Sequence, residues 1–286
     1  MDLEEKRRKH REYMRDYYKK NPEIRQKNNE RIKKYKQENP EKRKQWLEQN
    51  KEHIQKYNKL KIIRDKQSME GRFMMLQKNC KSSDAVAKRD SNLSTNDIRD
   101  LYDQQEGKCI YTNVDLQIDG AYQISVDRID STKGHTKENC QLTILPINRM
   151  KSNLSHDKFL ELLENIRINS EKVNKFIEYD EFPLSTRRKI YNLISDIKRR
   201  AKSAKIDNEM DLEKFKLWRK SQNDICQLTG VPVTWESNKW NTASIDRIDS
   251  SKGYTVDNIQ LVLWPINMMK NDLTNDDALG VVNLIL

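Results

Sequence analysis

The feature that most constrains this chain is a segment that it contains twice. Residues 127–155 and 246–274 align without a gap, and 17 of the 29 aligned positions are identical. Neither segment is of low complexity, so this degree of identity indicates a duplicated structural unit. Two helical patterns precede each segment, and we align residues 71–80 with 187–196 and residues 94–102 with 210–218. The duplicated units therefore extend to residues 70–168 and 186–286, and residues 169–185 form a linker.

The identical positions form an apolar set and a polar set. The apolar residues are what a small core needs, whereas the polar residues are more specific in type than packing alone requires. The polar pairs are Asp127/Asp246, Arg128/Arg247, Asp130/Asp249, Lys133/Lys252, Asn139/Asn258, Asn148/Asn267 and Lys151/Lys270.

Around these residues the sequence predicts two strands and a helix. Residues 124–129 alternate apolar with polar, Lys133-Gly134 marks a chain reversal, and residues 141–145 form the second strand. Pro146 fits the first turn of a helix, where its missing N–H is not needed. Ser155 fits the N-cap of a further helix. The expected fold class is therefore α+β and mostly helical, with a ββα unit in each copy.

An aspartate at the end of a strand, an asparagine about a dozen residues later and a helix with Asn-x-x-Lys form a distinctive pattern. The pattern resembles the ββα-metal (His-Me) finger of the HNH nucleases, in the DRID variant common among phages and large viruses. The resemblance implies two tandem fingers, each able to hold one divalent metal against a scissile phosphate. The implied metal ligands are Asp127, Asn148, Asp246 and Asn267, and the implied loop-fixing residues are Asn139 and Asn258.

The position after the aspartate departs from this family. Relatives carry there a histidine that activates water, whereas this chain has Arg128 and Arg247. An arginine stays protonated at ordinary pH, so it pairs with phosphate but does not accept a proton from water. Asp130 and Asp249, two residues on along the predicted strand, are the alternative bases. The histidines are not expected to substitute, because none recurs in both copies.

Hydrolysis of a phosphodiester requires stabilisation of the charge on the phosphate, a positioned water and a proton acceptor. Carboxylate and amide oxygens suit Mg²⁺ or Mn²⁺, so one such ion per active finger is the expected cofactor. The alternative role for the aspartates and asparagines is hairpin capping and turn formation. Residues 198–205 are rich in lysine and arginine, and this basic run either contacts backbone phosphates or is a solvated helix end. The expected nucleic-acid contacts are Lys151, Lys270, Lys133, Lys252, Lys198, Arg199 and Arg200.

The four cysteines do not form a zinc-binding pattern. Many relatives carry paired cysteine knuckles, but this chain has no C-x-x-C pair. The second copy holds the single cysteine Cys226 and no histidine, too few ligands for a four-coordinate site. No zinc is therefore expected, and small buried thiols in a reducing compartment are the better interpretation.

The positive charge is concentrated in an N-terminal arm, residues 1–69. Residues 1–63 hold 21 Lys and Arg against 11 Asp and Glu, a net charge of +10, while the rest of the chain has 34 against 33. The arm contains no glycine and few apolar residues, which predicts helices broken at Asn21-Pro22 and Asn39-Pro40 and lacking a core. Tyrosines and a tryptophan interleaved with cations favour contact with DNA, or with RNA, over a solubilising or coiled-coil role.

No run approaches the ~20 apolar residues of a membrane span, and the N-terminus is charged rather than signal-like. We therefore expect no membrane partner and an intracellular location, in the host cell or the virion if the protein is viral. Two functions remain open. One is a DNA endonuclease that uses one or both fingers, and the other is a nucleic-acid-binding or structural viral protein whose fingers no longer cut.

Overall fold

The computed structural model describes residues 3–170 and 184–286. The chain is α+β and mostly helical, with two small two-stranded antiparallel sheets, which confirms the predicted fold class at this level. It divides into two compact units, residues 1–63 and 64–286. Within the described residues, no helix combines the length and apolar character that a bilayer crossing requires. The predicted linker at 169–185 falls almost entirely outside the described residues.

The first unit is a series of helices that end where the sequence predicted. An asparagine terminates each of the first three helices, and its side-chain amide donates to the carbonyl four residues earlier. Proline then opens the next helix at Pro22 and Pro40. No residue of the second or third helix is buried, so these helices have no core of their own. The helices are α1 (Leu3–Lys20), α2 (Pro22–Glu38), α3 (Pro40–Gln49) and α4 (Lys51–Lys66).

The second unit contains the same order of elements twice. Each repeat has two helices, a β-hairpin, a short helix packed on the hairpin and a closing helix. The first repeat comprises α5 (Met69–Ala87), α6 (Thr95–Gln104), β1 (Ile124–Arg128), β2 (Cys140–Ile144), α7 (Leu145–Lys151) and α8 (His156–Ser170). The second comprises α9 (Leu184–Ala204), α10 (Leu212–Gln222), β3 (Ala243–Arg247), β4 (Ile259–Leu263), α11 (Trp264–Lys270) and α12 (Asn275–Asn283).

Each hairpin is buried on both faces. In the first repeat β1 runs antiparallel to β2, with Ile124 opposite Ile144 and Arg128 opposite Cys140. The alternating sequence of β1 predicted one solvent-facing side, but Ser125 and Asp127 are buried as well. Their side chains accept hydrogen bonds from residues of α7, which covers that side of the hairpin. Burial of polar side chains is tolerated here because each has a partner.

The repeated glycine serves a close approach and not a turn. A Cβ atom on Gly134 would lie 1.7 Å from the backbone oxygen of Asp90, and one on Gly253 would lie 2.2 Å from that of Asp207. Neither glycine has a positive φ. The segment that follows α5, or α9, therefore passes directly over the hairpin loop, and a side chain at this position would push it away.

The two repeats pack through equivalent helices. Helix α7 lies against α11, its counterpart in the second repeat. Arg149 of the first repeat also forms an ion pair with Asp272 of the second at 3.0 Å. Contact between the same element of two related units is the arrangement of a two-fold interface. The two repeats share one compact unit.

Candidate functional site

The aspartate at the end of β1 is buried and fully hydrogen-bonded. Asp127 is 2% exposed. Its Oδ1 accepts a hydrogen bond from Lys151 Nζ at 2.8 Å, and its Oδ2 accepts from Tyr111 OH at 3.0 Å and from Gln141 Nε2 at 2.8 Å. The ammonium balances the carboxylate charge inside the fold, where an unpaired charge would be costly.

The lysines of the Asn-x-x-Lys pattern do not lie at the surface. Lys151 and Lys270 are 0% exposed. Each donates to the backbone oxygen of the arginine that follows the aspartate, at 2.6 Å for Arg128 and 2.7 Å for Arg247. The prediction that these lysines contact phosphate is therefore wrong. Each lysine is the last residue of its short helix, and its ammonium group is buried against the hairpin.

The asparagine of the short helix is oriented by its amide group. Asn148 Nδ2 donates to Ser125 Oγ and to the backbone oxygen of Val126, both at 2.8 Å. Asn267 Nδ2 makes the equivalent contacts in the second repeat. No described residue donates to Oδ1 of either asparagine. Since Asn148 also lines a cavity of about 430 Å³ with Asp127, its amide oxygen is available to a ligand there.

The carboxylate of the aspartate in the second repeat accepts fewer side-chain hydrogen bonds than its counterpart in the first. Asp246 Oδ2 accepts from Gln260 Nε2 at 2.8 Å, and Lys270 Nζ lies 3.1 Å away. Lys270 Nζ also lies 3.5 Å from Oδ1. Leu228 occupies the place that Tyr111 has in the first repeat, so one donor is lost. Desolvation raises the pKa of Asp246 above its ordinary value, although Gln260 and Lys270 act in the opposite direction.

The donor types fit a hard divalent cation. Each cavity is lined by the aspartate of the strand and the asparagine of the short helix, and carboxylate and amide oxygens suit Mg²⁺ or Mn²⁺, which keep several waters. In the first repeat a bound ion would share Asp127 with the ammonium of Lys151. In the described part of the chain, no three His, Cys, Asp or Glu side chains cluster as metal ligands. The four cysteines are buried thiols, and the expected absence of zinc stays a prediction.

The arginines after the aspartates border the cavities. Arg128 lines the first cavity and Arg247 the second, which measures about 590 Å³. Each guanidinium is steadied by a bond to the backbone oxygen five residues later, at 3.0 Å for Lys133 and 2.9 Å for Lys252. The side chains of both lysines are exposed. Each cavity therefore has an arginine with an oriented guanidinium at its border.

Asp130 and Asp249 are poorly placed to act as bases. Strand β1 ends at Arg128, so the prediction that Asp130 shares its strand face is wrong. The carboxylate instead accepts from the hydroxyl of Thr132 at 2.6 Å and from its N–H at 3.0 Å. These two bonds lower the pKa of Asp130, and Ser251 does the same for Asp249. A carboxylate with a lowered pKa is a weaker proton acceptor, and neither aspartate lines its cavity.

The loop asparagines hold the hairpin loop closed. Asn139 Oδ1 accepts from the N–H of Asp130, and its Nδ2 donates to the backbone oxygens of Asp130 and Gly134. Asn258 makes the same three bonds in the second repeat. Both side chains are thereby committed to the loop, which fixes the position of the adjacent cavity wall.

The basic run on α9 is exposed, as the sequence suggested. Lys198, Arg199 and Arg200 all face solvent, and Arg199 pairs with Asp196 at 2.9 Å. Arg200 also lines the second cavity. Trp264 lines the same cavity and is 47% exposed.

The cavity linings correct the predicted alignment of the preceding helices. Each residue of α5 that lines the first cavity has a counterpart 117 positions later, on α9, that lines the second cavity. The sequence alignment of residues 71–80 with 187–196 is therefore wrong by one position. Under the corrected alignment Ser83 is equivalent to Arg200, and Asp84 to Ala201.

Sequence reasoning missed a buried pair beside the first cavity. His135 lines that cavity, and its Nδ1 lies 2.8 Å from Oδ2 of Asp84, a residue of α5 with 0% exposure. The two residues are 51 positions apart, and neither recurs in the second repeat. No pattern in the sequence connects them, so only the fold reveals the contact.

No protein-family model, curated protein or solved structure matches the chain. The function is therefore inferred from the chemistry of the two cavities.

Proposed function

We propose that this protein is a divalent-metal-dependent DNA endonuclease built from two HNH-like ββα fingers. One observation carries the proposal. In both repeats the hairpin and the short helix bring an aspartate, an asparagine with an unused amide oxygen and an arginine to one cavity. Turn formation alone does not account for this set, because the two aspartates lie on strands and the two asparagines on short helices, and none of the four lies in a turn.

The roles follow from the positions of the side chains. Asp127 and Asn148, with Asp246 and Asn267, would hold Mg²⁺ or Mn²⁺, which supplies charge stabilisation at the phosphate. Arg128 and Arg247 contact the phosphate oxygens, because a guanidinium forms directed hydrogen bonds with them.

Cations and an aromatic ring supply the affinity for the nucleic acid. The second cavity adds Arg200 and the exposed ring of Trp264, which suit a phosphate and a base respectively. The arm, with its net charge of +10 over residues 1–63, contributes contacts that do not depend on sequence.

A second candidate is nucleic-acid binding without cleavage. The buried contact between Lys151 and Asp127 favours it, because the ammonium already satisfies the carboxylate that a metal would use. Under this alternative the fingers are scaffolds, and the arginines and the arm bind the phosphate backbone.

Cleavage of a supercoiled plasmid in Mg²⁺ or Mn²⁺ separates the two candidates. The informative variant is Asn148→Ala with Asn267→Ala, because it removes the free amide oxygens and leaves the buried ion pairs intact. Asn153→Ala is the matched control, since this amide is exposed just after α7. Metal-dependent cleavage that the double variant loses and the control retains supports the endonuclease. No cleavage of duplex, single-stranded or branched DNA in either metal, with binding retained, supports the alternative.

A further inference from the structure

His135 lines the first cavity, and one of its ring nitrogens lies beside a carboxylate. It follows Gly134 in the loop between β1 and β2, and it lines the cavity that Asp127, Arg128 and Asn148 also line. Its Nδ1 faces Oδ2 of Asp84 at 2.8 Å. A carboxylate at that distance fixes the proton on Nδ1, so Nε2 carries the free lone pair. No described residue forms a hydrogen bond with Nε2.

The surroundings keep this imidazole neutral. The charged groups that face it are Asp84 of α5, Arg89 just after α5 and Arg128 of β1. Burial lowers the pKa of His135, the two arginines add to that effect and Asp84 opposes it. For Asp84, desolvation is outweighed by hydrogen bonds from the backbone and ring of His135, which lower its pKa. A neutral imidazole oriented by an ionised carboxylate is the arrangement that general bases use.

The second repeat shows that the fold does not need this pair. Ala201 and Tyr254 stand at the positions of Asp84 and His135. The loop is still attached to the preceding segment, because the Tyr254 N–H donates to the backbone oxygen of Asp207 at 2.8 Å. The Tyr254 ring instead lies under the guanidinium of Arg247 at 5.1 Å. The first repeat thus has a proton-accepting pair where the second has an uncharged alanine and a ring that supports a cation.

We propose that His135, held by Asp84, accepts the proton of the attacking water in the first repeat, and that the second repeat binds the nucleic acid without cutting it. The inference rests on the proposed endonuclease function. The water oxygen forms a bond to phosphorus as its proton passes to Nε2 of His135. The bond between phosphorus and the leaving oxygen breaks, the electron pair stays on that oxygen, and solvent protonates it. Water and the phosphodiester are the only reactants.

The test measures the rate of plasmid nicking against pH with the full-length protein in Mg²⁺ or Mn²⁺. His135→Asn retains a donor towards Asp84 but has no basic nitrogen. We expect kcat to fall by ~10²–10⁴-fold with KM little changed, and the acidic limb of the pH profile to disappear. His156→Asn is the control, because Asn275 already stands at the equivalent position of the second repeat and His156 does not line the cavity. This control should retain the acidic limb.

Asp84 is a positioning residue, and its replacement should change the pH dependence of nicking in a different way from the replacement of His135. Asp84→Asn removes a charge that raises the pKa of His135, so the acidic limb should move to lower pH while kcat falls. A purely structural role would lower the folded fraction without moving the limb.

A second variant protects the test against a folding defect. Asp84→Ala with His135→Tyr installs the pair that the second repeat already accommodates, and it should fold and bind DNA but fail to nick it. Nicking by this variant and by His135→Asn at the wild-type rate and pH dependence would overturn the inference and leave the endonuclease standing. A wild-type protein that cuts nothing would overturn both. Nicking by the Asp84→Ala with His135→Tyr variant that a further Asn267→Ala substitution abolishes would show that the second repeat cuts as well.

Discussion

Lys151 and Asp127 form a buried ion pair, with 2.8 Å between Nζ and Oδ1. The pair joins the last residue of α7 to β1, and Lys270 and Asp246 form the equivalent pair in the second repeat. Removing one partner of a buried pair typically costs ~3–5 kcal/mol, because the other charge is left without compensation. The stability of each repeat should therefore depend on a cation beside the aspartate.

The first prediction uses that dependence to locate the metal. Lys151→Met should lower the free energy of unfolding by ~3–5 kcal/mol without metal, because Asp127 loses its counter-charge. Mg²⁺ or Mn²⁺ should restore part of this loss, since a bound divalent ion takes over the neutralisation. Thermal unfolding with and without metal measures both effects. Lys133→Met is the control, because this lysine is exposed and its loss should change stability by less than ~0.5 kcal/mol. A variant that metal does not stabilise would argue against a cation at Asp127.

The parts of the fold that depend on local chemistry could be predicted. An asparagine followed by proline ends one helix and begins the next, so the breaks at Asn21 and Asn39 follow from sequence alone. The hairpin and the short helix followed from strand patterns and the position of Pro146. In each case the residue determines the backbone conformation of its near neighbours in sequence, so no knowledge of distant contacts is needed.

The parts that depend on long-range contacts could not be predicted. A lysine on a short helix usually faces solvent, and nothing in the sequence shows that Lys151 folds under the hairpin. Asp84 is a charged helix residue, a type that is usually exposed, and its partner His135 lies in a loop 51 positions away. Comparison of the two repeats did not identify His135, because it selects only residues that both copies share and Tyr254 stands at this position in the second copy.

The second prediction concerns the arm. Deletion of residues 1–63 should weaken DNA binding and reduce its dependence on salt, because the arm carries a net charge of +10. Each lost phosphate contact lowers the slope of log K against log salt by ~0.9 for duplex DNA. Fluorescence anisotropy at several salt concentrations measures the slope. A slope equal to that of the full-length protein would remove the arm from the DNA-binding account.

The third prediction concerns the aromatic ring at the second cavity. Trp264→Ala should weaken binding of single-stranded DNA by ~1–3 kcal/mol if a base stacks on the indole. Leu217→Ala is the control, because this side chain is 72% exposed on α10 and does not line the cavity. Equal affinities for the two variants would show that the exposed indole does not contact the nucleic acid.

The fourth prediction links the pair in the first repeat to acid stability. The folded protein lowers the pKa of His135, so between that value and the ordinary histidine pKa of ~6.5 the unfolded chain binds more protons. The contribution of His135 is therefore fully present above pH ~6.5 and is lost as the pH falls below it. Asp84 also has a lowered pKa, and its contribution is lost only at more acidic pH, below the ordinary aspartate pKa of ~3.9. Thermal unfolding between pH 8 and pH 5 should consequently show a smaller loss of stability for Asp84→Ala with His135→Tyr than for the wild type. An equal loss in both proteins would show that His135 is not held neutral by the fold.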